Sequence, residues 1–307
     1  MLNDEIRARI AGLQAGNRND SVRPLAAAHA ARSAQWQVIG AALPQRSEEC
    51  CNSSGAHLRF RQPLTQLWPQ ADSWLSRAAP AGNNQPQHPE LAALAQSFPR
   101  DALLLDLETC GFAGSMVFLA GLVWCDGVPV IDQLFARTYA EERALLETVW
   151  QIARHKRVLV TFNGKSFDWP MVRDRSTRHR LGAEPRLGHH DSAPADAPRG
   201  EPPDARVNSQ LPDWIHCDLL HHARRRWKGV LPDCRLQTLE RFICRRARHD
   251  DLPGALVPQV YHEFVRTGRA DRLGDILRHN AFDLVTLAQL ACRLITPPAA
   301  APVAKRA

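Results

Sequence analysis

The chain has 307 residues, of which 44% are hydrophobic and 23% are charged, and its formal net charge is +7. This composition is ordinary for a soluble globular protein, and the length allows one large domain or one medium domain with an extension. No run of about 18 apolar residues occurs, which excludes a membrane-spanning helix. The positive charge favours a polyanionic partner such as nucleic acid.

Eight cysteines are scattered along the chain, and the first residues carry acids where a secretory signal would have positive charge. Reduced thiols are therefore predicted, several of them acting as small core residues. We expect a soluble cytoplasmic protein that does not associate with a membrane.

Residues 1–98 are predicted to be an N-terminal extension with a linker, poorly structured or partly helical. Residues 2–15 have the apolar spacing of a short amphipathic helix. Stretches rich in Ala, Gln, Pro and Ser follow, and residues 79–89 have the composition of a linker. Three tryptophans indicate that parts of this extension dock elsewhere, so we do not expect a separate stable domain.

A regular pattern of strands and helices begins at Leu103. Apolar runs, helical spacing and the Asp126-Gly127 turn signal predict its elements. They are strands at 103–107, 116–124, 128–135 and 158–162, and helices at 141–155, from 167, and at 218–227, 236–245, 257–267 and 271–295. Three strands in a meander, a helix, another strand and then mostly helices indicate an α/β or α+β fold with a mixed sheet.

Two segments interrupt or end this pattern. Residues 182–212 are rich in Pro, Asp, Arg and Gly, which predicts a mobile surface insertion. The Ala/Pro-rich tail at 297–307 is predicted to be disordered. The structured domain is therefore expected to span residues 99–296.

Asp106 and Glu108 are the first candidate functional residues. They lie two apart in a run that is otherwise leucine, so on a strand both side chains point to one side of a largely buried sheet. Two such charges about 4 Å apart repel by about 4 kcal/mol at an effective dielectric of about 20. A divalent cation with oxygen ligands is the usual way to stabilise them.

Two further acids lie where an apolar run ends or a helix begins. Asp168 ends the segment that starts at Asn163, and Asp283 ends the segment that starts at His279. Since His279 and Asp283 are four residues apart, they share a face on a helix.

The order of these motifs resembles that of the DEDD exonucleases of the ribonuclease H-like superfamily, in particular the YprB-type ribonuclease H-like domains. The segments that carry the resemblance are Asp106-Leu-Glu-Thr-Cys-Gly111, Val160-Thr-Phe-Asn-Gly-Lys-Ser-Phe-Asp168, His216-Cys-Asp-Leu-Leu-His-His-Ala-Arg224, Leu236-Gln-Thr-Leu-Glu240, Asp251-Leu-Pro-Gly254 and His279-Asn-Ala-Phe-Asp283. The resemblance covers roughly residues 98–295. It implies an α/β ribonuclease H-like fold, with a mixed central sheet flanked by helices.

The resemblance also implies a function. In this family four acids, here Asp106, Glu108, Asp168 and Asp283, hold two Mg²⁺ or Mn²⁺ ions. The implied enzyme is a hydrolase, a 3′→5′ exonuclease acting on DNA or RNA as single strands or 3′ ends. His279 is the expected general base. Family members with this histidine usually have one more residue before the last acid, so a purely structural role of His279 stays open.

Two other functions remain possible from the sequence. The same metal site could cleave structured substrates internally, as an endonuclease. Alternatively, the chain could be a catalytically silent nucleic-acid-binding or scaffold module that keeps the fold.

Four more residues are candidate substrate contacts: Asn163, Lys165, Arg224 and Trp227. Trp227 lies in a basic cluster and could stack on a base while arginines follow the phosphates. Packing of Trp227 in the core, an exposed loop position for Lys165 and a loop-holding role for Asn163 are the alternatives.

Asp218 begins the predicted helix at 218–227, where it is expected to be the N-cap, with a supporting contact to the metal-site acids as the alternative.

A zinc site is not expected. The potential ligands in the second half of the chain contain no Cys-x-x-Cys pair, and their spacings fit no common zinc module. They are His216, Cys217, His221, His222, Cys234, Cys244 and His249.

Overall fold

Seven strands form one mixed sheet in the computed structural model, which describes residues 47–78, 86, 88–111, 114–181 and 214–296. The strands are β1 (Glu48–Asn52), β2 (Gly55–Pro63), β3 (Ala102–Thr109), β4 (Val117–Asp126), β5 (Val128–Phe135), β6 (Val158–Thr161) and β7 (Ile215–Asp218). Their order across the sheet is β1-β2-β5-β4-β3-β6-β7. Pairing is antiparallel as far as β3 and parallel from β3 to β7. The predicted α/β fold with a mixed sheet is therefore confirmed.

Helices cover both faces of the sheet. Within the described residues they are α1 (Leu64–Leu67), α2 (Ala71–Ala78), α3 (Pro89–Ser97), α4 (Glu142–Ala153), α5 (Asp168–Arg178), α6 (Leu219–Trp227), α7 (Leu236–Phe242), α8 (Val257–Thr267) and α9 (Leu273–Ile295). Short 3₁₀ turns precede α4 and α8. None of the described helices is long and apolar enough to span a bilayer.

The central strand β3 separates two apolar cores. Ala102 and Leu104 pack with residues of α2, α3, α6 and α9 on one face. Leu103, Leu105 and Leu107 pack with residues of α4, α5 and α8 on the other. Because successive side chains of a strand alternate between faces, a strand buried on both faces is apolar along most of its length. β3 is thus held firmly from both sides.

Residues 48–98 contribute to this same sheet and core, which corrects the predicted boundary at residue 98. β2 pairs with β5 from Leu58 to Pro63, and Leu64 and Leu94 are buried in the first core. β2 was not predicted from the sequence because this strand carries charged residues. Arg61 of β2 pairs with the buried Asp132 of β5, with Nε to Oδ1 at 2.8 Å, so its charge is neutralised by a residue far away in sequence.

The other predicted elements agree with the structure to within a few residues, apart from β7. This strand has only four residues, too few to show a period, and was not predicted. The expected helix at 2–15, the insertion at 182–212 and the tail at 297–307 lie outside the described part of the chain.

Leu94→Ala should lower the free energy of unfolding by about 3 kcal/mol, because Leu94 is fully buried in the first core. Val128→Ala is the control, since Val128 is 56% exposed and its change should stay within about 0.5 kcal/mol. Urea denaturation of both variants measures this. Equal stabilities would mean that residues 48–98 do not belong to the domain core.

Candidate active site at the end of the central strand

Asp106 and Glu108 lie on the face of β3 that meets α9. They continue the row of Ala102 and Leu104, which pack in the first core, so the acids begin where the apolar part of that face ends. Both side chains are partly buried. The prediction that the two acids share one side of a buried strand agrees with this geometry.

Asn280 of α9 fixes Asp106. Its Nδ2 donates to Asp106 Oδ2 at 2.8 Å, and its Oδ1 accepts from Gln133 Nε2 at 2.9 Å. The amide lies over Gly121, the β4 residue that pairs with Asp106 on one side and Gln133 on the other. A methyl group at position 121 would overlap the Asn280 side chain. The glycine within this apolar strand therefore permits the close approach of α9.

Asp168 reaches the same end of β3 from the first residue of α5. β6 pairs with β3 only as far as Leu104, so the backbone N–H of Leu107 is available beyond that point. It donates to Asp168 Oδ1 at 3.2 Å. Asp168 is 6% exposed, and this contact ties it to the strand that carries Asp106 and Glu108.

The loop before Asp168 is organised by Asp218. The buried Asp218 carboxylate accepts from the backbone N–H groups of Asn163 at 2.8 Å and Lys165 at 3.1 Å. It also accepts from Leu220 N at 3.1 Å, as the predicted N-cap of α6. Asn163 has φ +65°, in the left-handed region. Asp218 thus sets the path of the chain toward Asp168.

His279 and Asp283 lie on α9, and a preceding loop holds both. His279 Nδ1 is 3.1 Å from each carboxylate oxygen of Asp251, and His279 Nε2 is 3.5 Å from Asp283 Oδ2. Arg248 donates to Asp283 Oδ1 at 2.5 Å and to Asp251 Oδ2 at 3.0 Å. Asp251 and Arg248 therefore set the orientation of the histidine and the last acid.

A second layer of charges holds Arg248. Its Nε donates to Glu240 Oε2 at 2.7 Å. The buried Arg246 donates to Glu240 Oε1 at 2.9 Å and to Thr286 Oγ1 at 2.6 Å. The sequence placed none of Arg246, Arg248, Glu240 and Asp251 beside the acids: the two arginines were expected in a basic surface cluster, and Glu240 and Asp251 only lie in segments that carry the family resemblance.

The carboxyl groups at this site resist ionisation. Burial raises the pKa of Asp106 well above its usual range, and the charges of Asp283, Glu108 and Asp168 add to the rise. Burial raises the pKa of Glu108 to about 8, against the opposing charge of His279. Burial raises the pKa of Asp168 to about 7, although its bond from the Leu107 N–H opposes the rise. These acids therefore lie in one electrostatic neighbourhood in which negative charge outweighs positive charge.

The pKa of His279 moves in the direction that favours its charged form. Burial lowers this pKa, but the hydrogen bond to Asp251 and the charges of Asp283 and Glu108 outweigh burial, and the pKa is raised. The imidazole is thus a partial counter-charge for the acids.

The four acids do not converge as closely as three ligands of one metal ion would. Among the described residues, no three of them offer oxygens that all lie within 4.8 Å of each other. Asp283 is drawn to Arg248 by the 2.5 Å contact.

The remaining candidate contacts have other partners. Lys165 Nζ pairs with Glu90 Oε1 at 2.7 Å. The Trp227 ring packs partly buried against the first core, with the Arg226 guanidinium 5.4 Å from its centroid. Arg224 is exposed on α6.

Asp106→Asn should stabilise the metal-free protein at pH 8 by about 1–2 kcal/mol, because a raised pKa means that the folded state disfavours the charged form. The folded protein keeps protons that the unfolded chain releases above about pH 4. The contribution of these acids to the free energy of unfolding therefore falls as the pH rises from about 4 to about 8. Asp106→Asn should make the free energy of unfolding less dependent on pH over that range. Denaturation with a chelator at pH 5 and pH 8 measures this.

Glu142→Gln is the matched control for Asp106→Asn. Glu142 is buried but accepts from Arg175 and from Val117 N, so loss of its charge should destabilise the fold by about 2 kcal/mol. If both variants were destabilised equally at pH 8, the acids at the end of β3 would not be repelling one another.

Comparison with known proteins identifies the family of this fold. A sequence model of the RNase_H superfamily matches residues 103–295, from β3 to the end of α9. Over 190 residues the chain is 34% identical to the uncharacterized protein YprB of Bacillus subtilis (strain 168). The aligned region is 60% of this chain and 40% of that relative, so the chain spans less than half of the relative's length. The chain belongs to the RNase H superfamily, as a YprB-type domain of nuclease type.

Proposed function

We propose that this protein is a divalent-metal-dependent 3′→5′ exonuclease of DNA or RNA. The observation that carries the proposal is the meeting of acids from three elements at one end of β3: Asp106 and Glu108 from the strand, Asp168 from α5 and Asp283 from α9. Acids that repel one another at a partly buried site are typical of a place built for a cation.

The donor set fits Mg²⁺ or Mn²⁺. Asp106, Glu108, Asp168 and Asp283 offer only carboxylate oxygens, which suit these ions better than zinc. Two ions held by these residues would activate a water and stabilise the oxygen that leaves from a phosphodiester. Oδ2 is the oxygen of Asp283 that would bind an ion, because Arg248 contacts Oδ1.

His279 is the proposed general base. The Asp251 carboxylate can only accept a hydrogen bond, so the proton of the neutral His279 ring lies on Nδ1. The other nitrogen, Nε2, is then left to take a proton from the attacking water. Nε2 faces Asp283 at 3.5 Å. The imidazole therefore lies beside the acids, despite the short spacing in sequence.

Nucleic acid is the proposed substrate, with single strands or 3′ ends preferred. The net charge of +7 supports a polyanionic partner, and exposed Arg224 is a candidate phosphate contact. The eight cysteines are free thiols, which supports the cytoplasm as the place of action.

Asp168→Asn should lower the cleavage rate at least about a hundredfold, because loss of one carboxylate removes several kcal/mol of charge stabilisation. Asp271→Asn is the control, an exposed acid paired with Arg269, and should cleave at the unchanged rate. Release of label from 3′-labelled single strands with Mn²⁺ or Mg²⁺ is the measurement. Wild type that is inert on DNA and RNA of every end type would reject the proposal.

The position of the label separates exonuclease from endonuclease. With 5′-labelled strands, an exonuclease yields a ladder that shortens one nucleotide at a time, and a 3′-blocked strand resists it. Internal fragments from the blocked strand would indicate endonuclease action instead.

Asp251→Asn should shift the acid limb of the pH–rate profile to lower pH and reduce the maximal rate. Asp251 raises the pKa of His279 through its hydrogen bond and charge, so its neutralisation lowers that pKa and lets the base deprotonate at lower pH. The loss of orientation reduces the rate. If the acid limb does not move in Asp251→Asn, His279 does not take the proton in the reaction.

A catalytically silent nucleic-acid-binding or scaffold module is the second candidate. The contact of Arg248 with Asp283, together with the spread of the carboxylate oxygens, favours it. Calorimetry with Mn²⁺ separates the two functions, because a working site should bind two ions and a silent one should bind none.

A further inference from the structure

A second cluster of metal-binding groups lies at the N-terminus of α3. The candidate ligand atoms of His88, Glu90 and His222 all lie within 4.8 Å of one another. His222 Nε2 is 2.8 Å from Glu90 Oε2, and the rings of His88 and His222 meet edge to face with centroids 4.6 Å apart. His222 is 2% exposed. The three groups thus converge from two elements onto one small volume.

The donor set differs from that of the acids at β3. Two imidazoles and one carboxylate match the ligands of open zinc sites, in which water takes the fourth position. Mg²⁺ prefers an all-oxygen shell and is disfavoured here.

An ion at this cluster would replace part of the existing contacts. Lys165 contacts Glu90 Oε1, so the metal would bind Oε2, in place of the hydrogen bond between Oε2 and His222 Nε2. Arg225 donates to His222 Nδ1 at 3.2 Å, and metal at Nε2 would place a proton on Nδ1, so the exposed Arg225 has to turn away. His88 Nδ1 accepts from Glu90 N at 3.3 Å as the cap of α3, which holds the His88 ring beside Glu90.

We propose that His88, Glu90 and His222 form a zinc site separate from the four acids. The site joins α3 to α6 and, through Lys165 on Glu90, contacts the loop that leads to Asp168. It does not depend on the proposed nuclease function. Sequence spacing did not predict it, because two of the ligands precede β3 and the third lies on α6, more than 130 residues later.

Cobalt binding tests the site in the 307-residue chain carrying Asp106→Asn and Asp283→Asn, which removes metal binding at the four acids. Co²⁺ should bind at one equivalent with visible d–d absorption, and Zn²⁺ should displace it. Zn²⁺ should also raise the melting temperature by several degrees. Nuclease activity is not measured, so failure here leaves the proposed function untouched.

Ligand variants complete the test. His88→Ala and Glu90→Gln should each weaken binding at least about a hundredfold, since each removes a direct ligand. His222→Ala should do the same, and the other two variants cover the case in which loss of the buried ring prevents folding. His221→Ala, an exposed neighbour on α6, should bind as tightly as its parent. No bound cobalt in the parent, or equal binding by His88→Ala and Glu90→Gln, would overturn the proposal.

Discussion

Repulsion between carboxylates at the end of a buried strand is the constraint on which this site depends. Burial and mutual charge raise the pKa values of Asp106, Glu108 and Asp168, so the fold must hold these groups where they are unfavourable. Two of them are restrained by contacts with neutral donors: the Asn280 amide for Asp106 and the Leu107 N–H for Asp168. Neutral donors orient an acid without cancelling its charge.

The two cores provide the free energy that this arrangement costs. β3 is packed on both faces, and α9 approaches β4 closely because position 121 is glycine. Packing therefore fixes Asn280 against the sheet, and Asn280 fixes Asp106. A site whose groups are held by rigid strands and helices keeps its geometry when charge is added or removed.

The sequence predicts those features that local patterns encode. Apolar runs and the Asp126-Gly127 turn gave the meander, and acids in apolar surroundings gave Asp106 and Glu108. It could not give partners that meet only in three dimensions. The charge of Arg61 argues against a sheet position in the sequence, and only the fold shows Asp132 beside it. The role of Asp251 depends on His279, which lies 28 residues later.

The charges around Asp283 decide how the site can work. Arg246, Arg248 and His279 provide three positive groups for Glu240, Asp251 and Asp283 when His279 is protonated. Among the described residues no lysine or arginine forms an ion pair with Asp106, Glu108 or Asp168, which agrees with the raised pKa values of these three acids. Arg248 therefore balances the charge of Asp283 but not that of Asp106, Glu108 or Asp168. A silent module would gain stability by replacing those three acids, whereas a cation-binding site needs them as they are.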